Sequence, residues 1–115
     1  MAFQVKHKVW IEWDGKIVLS DGRAALLEAI DELGSIQQAA KRFGMSYRHA
    51  WGLIHKIEAR AGFKFIQTNV GGKEGGGSQL TDPGRKFLQK YREFRRKWDA
   101  TVEELFQQVF QGPTP

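Results

Sequence analysis

The residues between Ser46 and Lys56 combine cations, hydrogen-bond donors and flat rings, which are the groups that contact phosphates and the edges of bases. The candidate contact residues are Ser46, Tyr47, Arg48, His49, Gly52, His55 and Lys56. Trp51 lies in the same run, where it is equally suited to contact bases or to support the helix as a half-buried ring. This composition predicts a surface that binds a nucleic acid.

The charge distribution also points to a polyanionic partner. The formal net charge is +5, and residues 35–73 contain seven lysines and arginines but a single acid, Glu58. In residues 21–32 the balance is reversed. A solvated surface on a basic protein would explain the charge alone equally well. Asp31 and Glu32 are adjacent and diverge on a helix, so we expect both carboxylates to be solvated.

Other kinds of site have little support in the sequence. The absence of cysteine excludes disulfides, thiolate metal sites and cysteine nucleophiles. His49 and His55 lie six residues apart, about 240° around a helix, so they cannot share a metal ion. No apolar run approaches the roughly 20 residues of a membrane span, and no signal peptide is apparent. We expect a cytoplasmic chain that is not an enzyme and has no metal, cofactor or membrane contact.

Two consecutive helices must position the contact residues. Ser35 and Ser46 are typical N-cap residues, and Gly44 ends the first of the two helices. The positions expected to face inward are Ile36, Ala39, Ala40 and Phe43 in the first helix and Ala50, Ile54 and Ile57 in the second. A short helix, a tight turn and a longer helix over 35–60 have helix-turn-helix spacing, in which the second helix enters the major groove. Ser35 and Gln37 would offer N–H groups and a side chain to a phosphate.

The segment before this pair predicts a β-hairpin and one further helix. Phe3, Val5, Val9, Ile11 and Trp13 alternate with polar residues, which indicates a half-buried strand. Asp-Gly at 14–15 is a two-residue turn, so a hairpin should span residues 3–19. An apolar stripe at helical spacing then begins near residue 21. We therefore expect three helices over residues 21–62.

A glycine-rich segment follows these helices. Short strands around it predict a hairpin over residues 65–81, with Gly72 and Lys73 at its tip approaching the DNA backbone. A plain flexible loop is the alternative. A phosphate-binding loop of an NTPase is excluded, because Gln67 stands where that motif requires glycine and Glu74 where it requires serine or threonine.

A long amphipathic helix is predicted over residues 82–111, ahead of a tail at 112–115. Its apolar stripe is too long for so small a domain to cover, so a second copy should bury it. The expected dimerisation residues are Tyr91, Phe94, Trp98, Val102, Leu105 and Val109. The alternative is a helix that folds back across its own domain. The helix is basic before Trp98 and acidic beyond it.

These elements predict one domain, residues 1–115, that is mainly α with β-hairpins (α+β): a winged helix-turn-helix with an N-terminal β-hairpin and a long C-terminal dimerisation helix. The motifs resemble the N-terminal DNA-binding domain of ModE-type molybdate-responsive regulators and, more distantly, the LysR-type winged helix. The resemblance is carried by Gly34-Ser35-Ile36, Gly44-Met45-Ser46-Tyr47-Arg48, Ala50-Trp51, the polyglycine stretch at 71–77 and Leu80-Thr81-x-x-Gly84.

The resemblance implies a homodimeric transcription regulator that binds a palindromic operator in double-stranded DNA. In the ModE-type family a separate C-terminal domain binds molybdate. This sequence stops at Pro115, so we expect no molybdate site in the chain, which could be a stand-alone member or a fragment. A winged-helix protein-interaction module and a nonspecific, nucleoid-type DNA binder are the rival interpretations.

Overall fold

A computed structural model describes residues 3–69 and 77–110. As predicted, the described fold is mainly α with two β-hairpins. The elements in chain order are β1 Trp10–Trp13, β2 Lys16–Ser20, α1 Asp21–Leu33, α2 Ile36–Arg42, α3 Tyr47–Ala61, β3 Ile66–Asn69, β4 Gly77–Leu80 and α4 Asp82–Phe110. Strands β1 and β2 form one antiparallel sheet, and β3 and β4 form the other.

The N-terminal hairpin has the expected turn but a shorter first strand. Asp14 and Gly15 have φ values of 53° and 79°, as a two-residue turn of this type requires. Residues 3–9 are not part of β1, so the prediction of a strand from residue 3 was wrong. The predicted inward position of Trp13 was also wrong, since its side chain is 69% exposed. Trp13 pairs with the exposed Lys16 beside the turn. The register shifts between Ile11 and Glu12 because β2 has one extra residue, Val18, and Val18 and Leu19 are therefore both buried.

The core lies between β2, the three short helices and the second hairpin. Its largest fully buried side chains are Phe65, Leu19, Leu26, Leu27, Ile30 and Ile57. Phe43 was predicted to face inward, but it is 42% exposed. Helix α2 ends at Arg42, so Phe43 lies just beyond the helix. The partly buried Met45 packs against the core in place of Phe43.

Three ion pairs connect α1 to α4. Asp21, Glu28 and Asp31 pair with Arg95, Arg92 and Arg85, in that order. The first acid along α1 pairs with the last of the three arginines along α4, and the last acid pairs with the first arginine, so the two helices run antiparallel at this contact.

The sequence suggested that Asp31 is a solvated surface carboxylate, and this prediction was wrong. It accepts two hydrogen bonds from Arg85, at 2.9 and 3.1 Å, and one from the backbone N–H of Leu80. The hydrogen bonds from Arg85 hold the pKa of Asp31 below its ordinary value.

Helix α4 begins in close contact with the second hairpin. The Thr81 hydroxyl accepts a hydrogen bond from the Gly84 N–H at 3.0 Å and donates one to the Lys64 carbonyl. A β-carbon at Gly84 would lie 2.8 Å from the Phe65 backbone, so only glycine allows this approach. Across residues 3–69 and 77–110, no helix has both the length and the hydropathy required to cross a membrane.

Candidate nucleic-acid interface

Helix α3 is anchored on one side and open on the other. Ala50, Ile54 and Ile57 bury its inner side, as predicted. The turn that leads into the helix uses Gly44 at φ 68°, and the Met45 N–H donates to the Ala40 carbonyl at 3.0 Å. This turn fixes the direction in which α3 leaves α2, and it leaves the outer side of α3 uncovered.

The predicted contact residues of α3 lie together on that outer side. Tyr47, Arg48, His49, His55 and Lys56 are exposed. Gly52 is partly exposed and lies among them. Within residues 3–69 and 77–110, the side chains of Arg48, His49 and Lys56 make no hydrogen bond or ion pair. The face thus presents cationic and donor groups that the described protein does not use.

Ser46 has a structural task in addition to its exposed position. Its hydroxyl oxygen accepts the His49 N–H at 3.1 Å and caps α3. Ser35 caps α2 in the same way by accepting the Gln38 N–H at 3.1 Å. Gln37, the other predicted contact residue of α2, is exposed. The hydroxyl of each serine can still donate its own proton.

Trp51 and His55 form an aromatic pair at the edge of the outer face. Their ring centroids are 3.6 Å apart, and Trp51 is 48% exposed. Trp51 therefore supports the position of the His55 ring while keeping half of its own surface open, and its contact with bases stays a prediction.

Several cations of the basic segment are used by the fold. Arg42 pairs with Glu32, and the Arg60 guanidinium donates to the Ile17 carbonyl at 2.7 Å. Arg23, which lies in α1 outside this segment, donates to the same carbonyl, and burial together with the nearby Arg60 charge lowers its pKa. Four cations of the basic segment make neither a side-chain hydrogen bond nor an ion pair within the described ranges: Lys41, Arg48, Lys56 and Lys64.

Glu58, the one acid in the basic segment, was not assigned a role from the sequence. Its carboxylate accepts the backbone N–H groups of Phe65 and Ile66, at 2.8 and 3.1 Å. This contact attaches the second hairpin to α3. The isolation of one acid among seven cations was the signal that could have revealed it.

The second hairpin is also attached to the end of α1. Strands β3 and β4 pair from Ile66–Leu80 to Asn69–Gly77, and the Ser78 N–H donates to the Gly34 carbonyl at 3.0 Å. The hairpin follows α3, as a wing does. Gly72 and Lys73, the predicted contact residues of its tip, lie outside the described residues.

The distal half of α4 presents the predicted apolar face. Phe94, Trp98, Leu105 and Val109 are exposed, and Val102 is partly exposed. The sequence analysis missed Phe106 and Phe110, whose stacked rings have centroids 5.0 Å apart. They add a second apolar strip to this part of the helix.

Tyr91 does not belong to this face, contrary to the prediction. Its side chain is 3% exposed, and its hydroxyl donates to Asp21 at 2.5 Å and lies 3.2 Å from the Val9 carbonyl. Burial and the hydrogen bond to Asp21 raise the pKa of Tyr91. Burial acts to raise the pKa of Asp21, but hydrogen bonds from Tyr91 and Arg95 outweigh it and lower that pKa.

The N-terminal segment is held by the same cluster. Arg95 lies 2.9 Å from His7 Nδ1 and donates to the His7 carbonyl at 3.3 Å. It also pairs with Asp21 and Asp99.

The helix-turn-helix, the following hairpin and the open face of α3 define a winged helix-turn-helix protein. The sequence model of the bacterial regulatory helix-turn-helix proteins of the lysR family matches residues 23–85, which is more than half of the chain. The chain belongs to this family.

Curated relatives include ModE proteins. The chain is 36% identical over 99 residues to the molybdenum transport protein ModE of Azotobacter vinelandii, covering 86% of this chain and 37% of that protein. It is 37% identical over 76 residues to the DNA-binding transcriptional dual regulator ModE of Escherichia coli K12, covering 66% of this chain and 29% of that one. The chain thus spans less than two fifths of the length of these relatives.

Solved structures share the fold at lower identity. The DNA-binding domain of CbnR in a complex with DNA matches with a TM-score of 0.55 and 22% identity, covering 72% of this chain and 90% of that one. Lactococcus lactis ZitR matches with a TM-score of 0.56 and 17% identity, covering 92% and 73%. These likenesses support the winged-helix fold.

Proposed function

We propose that the chain is a transcription regulator that binds a palindromic operator in double-stranded DNA as a homodimer. The observation that carries this proposal is the outer face of α3, where Arg48, His49 and Lys56 are exposed and unpaired within the described residues. The Escherichia coli relative, a DNA-binding transcriptional dual regulator, and the CbnR domain, which was solved in a complex with DNA, support the same function.

Helix α3 is the recognition helix in this proposal. Arg48 donates to guanine N7 and O6 or to a phosphate, and Tyr47, His49 and His55 contact base edges or the backbone. Lys56, one turn beyond Gly52, supplies affinity that does not depend on sequence. Ser35 and Gln37 lie at the start of α2, where helix-turn-helix proteins approach the phosphate backbone.

The wing supplies a second contact with the duplex. Strands β3 and β4 are anchored to α3 through Glu58 and to α1 through Gly34. Lys73 and the backbone at Gly72, which lie outside the described residues, contact phosphates in this proposal. Loss of Lys73 should weaken binding to all sequences alike and flatten its salt dependence.

Homodimerisation buries the distal face of α4. The face carries Trp98, Val102, Leu105 and Val109, and it has no cover in the described chain. Helix α4 also separates its charge, with cations before Trp98 and acids beyond it. Two copies that cross in antiparallel fashion would set cations against acids and bury both apolar faces. Two-fold symmetry then sets two recognition helices about 34 Å apart, one helical turn of DNA.

Selection of bound duplexes from a random DNA pool tests the proposal. The expected result is a palindromic consensus. Equal binding to every sequence would support the nonspecific binder, and no binding near 50 mM salt would support the protein-interaction module.

A variant series then identifies the binding face. Arg48→Ala should weaken binding to the selected duplex by about 1–3 kcal/mol and relax specificity at one position if the side chain contacts a base. The control is Lys16→Ala, which removes an exposed cation from β2, outside the proposed DNA-binding and dimerisation faces. Equal losses for both variants would show that the affinity follows net charge and not the α3 face.

A further inference from the structure

Glycine occupies the outermost position of the recognition helix. At about 100° per residue, Gly52 lies roughly 200° around α3 from the fully buried Ala50. Arg48 precedes it by one turn and Lys56 follows it by one turn, on the same side of the helix. The centre of the proposed DNA-binding face therefore has no side chain.

The fold does not require this glycine. A β-carbon at Gly52 would meet no atom within 4 Å, and the residue does not have the positive φ that favours glycine. Glycine inside a helix is less stable than alanine, because it loses more backbone freedom on folding. No contact in the described chain therefore explains why position 52 keeps a glycine that lowers the stability of the helix.

The missing side chain leaves a shallow slot of defined chemistry. Its lining residues are Ser46, Arg48, His49, Gly52, Leu53 and Lys56. The lining includes the aliphatic Leu53 side chain, which packs against the core, and the cations Arg48 and Lys56. A recess lined by an aliphatic side chain and two cations fits a small apolar group that projects from a polyanion.

We infer that Gly52 is a specificity-determining residue whose slot accepts the 5-methyl group of a thymine in the major groove. This methyl is the one apolar group that base pairs display there, and it lies beside acceptors that cations can contact. The inference rests on the proposed DNA-binding function. Gly52→Ala places its own methyl group where we infer that the thymine methyl enters, so it should exclude the base methyl, and it removes a glycine that destabilises the helix.

The test uses duplexes selected by the wild-type protein from a random pool. At each thymine in turn, deoxyuridine replaces it and removes only the methyl group. Wild-type binding should fall about fourfold at one position in each half-site, the value of one buried methyl. Gly52→Ala should bind the thymine duplex about tenfold more weakly than wild type does. When deoxyuridine replaces thymine at that same position, Gly52→Ala should regain part of the affinity that it lost.

Thermal unfolding and a matched glycine variant complete the test. Gly52→Ala should raise Tm by about 4 °C. Gly22→Ala, at an exposed α1 position where a β-carbon also meets nothing within 4 Å, should raise Tm without changing affinity. The inference is overturned if Gly52→Ala binds as wild type does, if no deoxyuridine position relieves its loss, or if its Tm falls. Failure of the wild-type protein to select any duplex would instead overturn the proposed DNA-binding function itself.

Discussion

The carboxylate of Glu58 accepts the backbone N–H of Phe65 at 2.8 Å and that of the next residue at 3.1 Å. Phe65 is fully buried, so its N–H needs a partner inside the protein. One acid on the recognition helix therefore fixes where the second hairpin begins, and it explains why a basic segment retains a single negative charge.

Loss of this carboxylate should destabilise the fold. Glu58→Ala leaves two backbone donors without their acceptor and should lower the free energy of unfolding by about 2–3 kcal/mol. Glu58→Gln keeps an acceptor and should cost less. Urea unfolding followed by circular dichroism measures both. Equal stability of Glu58→Ala and wild type would contradict the assignment of these hydrogen bonds.

The Asp31–Arg85 ion pair predicts an acid-sensitive contribution to stability. Because the folded-state pKa of Asp31 is depressed below its usual 3.8, its contribution is present above about pH 3.8 and is lost as the pH falls through the folded-state pKa. Asp31→Asn should therefore lower Tm at pH 7, and the difference from wild type should shrink at acid pH. Scanning calorimetry between pH 7 and pH 2.5 measures it, with the exposed Glu104→Gln as a control for the loss of one charge. A difference that grows on acidification would contradict this prediction.

The contact of Gly84 with the Phe65 backbone predicts a severe effect of a single methyl group. Gly84→Ala should cost about 1–3 kcal/mol, because backbone atoms 2.8 Å from the new β-carbon must move. Gly22→Ala adds the same methyl in open space and is the matched control. Chemical denaturation should rank Gly84→Ala below wild type and Gly22→Ala at or above it. The reverse order would show that α4 does not pack on the hairpin this closely.

The distal face of α4 predicts the oligomeric state. Leu105→Lys places a charge on the exposed apolar strip and should weaken self-association by about 100-fold. Gln107→Lys adds the same charge about 200° around the helix, and it should leave the dimer intact. Sedimentation velocity over a concentration series distinguishes the two. A monomeric wild-type protein, or loss of the dimer with both substitutions, would exclude this face as the interface.

Much of the fold follows from local sequence signals. Ser20, Ser35 and Ser46 begin helices as N-caps, and Gly34 and Gly62 end helices with a positive φ. These signals depend only on neighbouring residues, and the sequence displays them directly. The apolar spacing of α3 likewise predicted its buried and open sides.

Contacts between distant segments were harder to predict. Tyr91 lies on the apolar stripe of α4, but the stripe passes from the protein core to open surface near that residue, and periodicity does not mark the transition. The extra residue of β2 at Val18 has no distinct sequence signal, and neither has the exposure of Trp13 beside the turn. The acids of α1 and the arginines of α4 have the same spacings in chain order, seven and then three residues. A comparison of these intervals would have suggested parallel helices, so it would not have predicted the observed antiparallel contact.

The ion pairs between α1 and the first half of α4 restrict rotation of one helix relative to the other. Asp21 and Arg95 join the helices near one end of the contact, and Asp31 and Arg85 join them near the other. The part of the domain that contains α1 therefore cannot pivot freely about the long helix. In a homodimer, the crossing angle of the two long helices would therefore set the distance between the two recognition helices. That distance would in turn set the number of base pairs allowed between the half-sites.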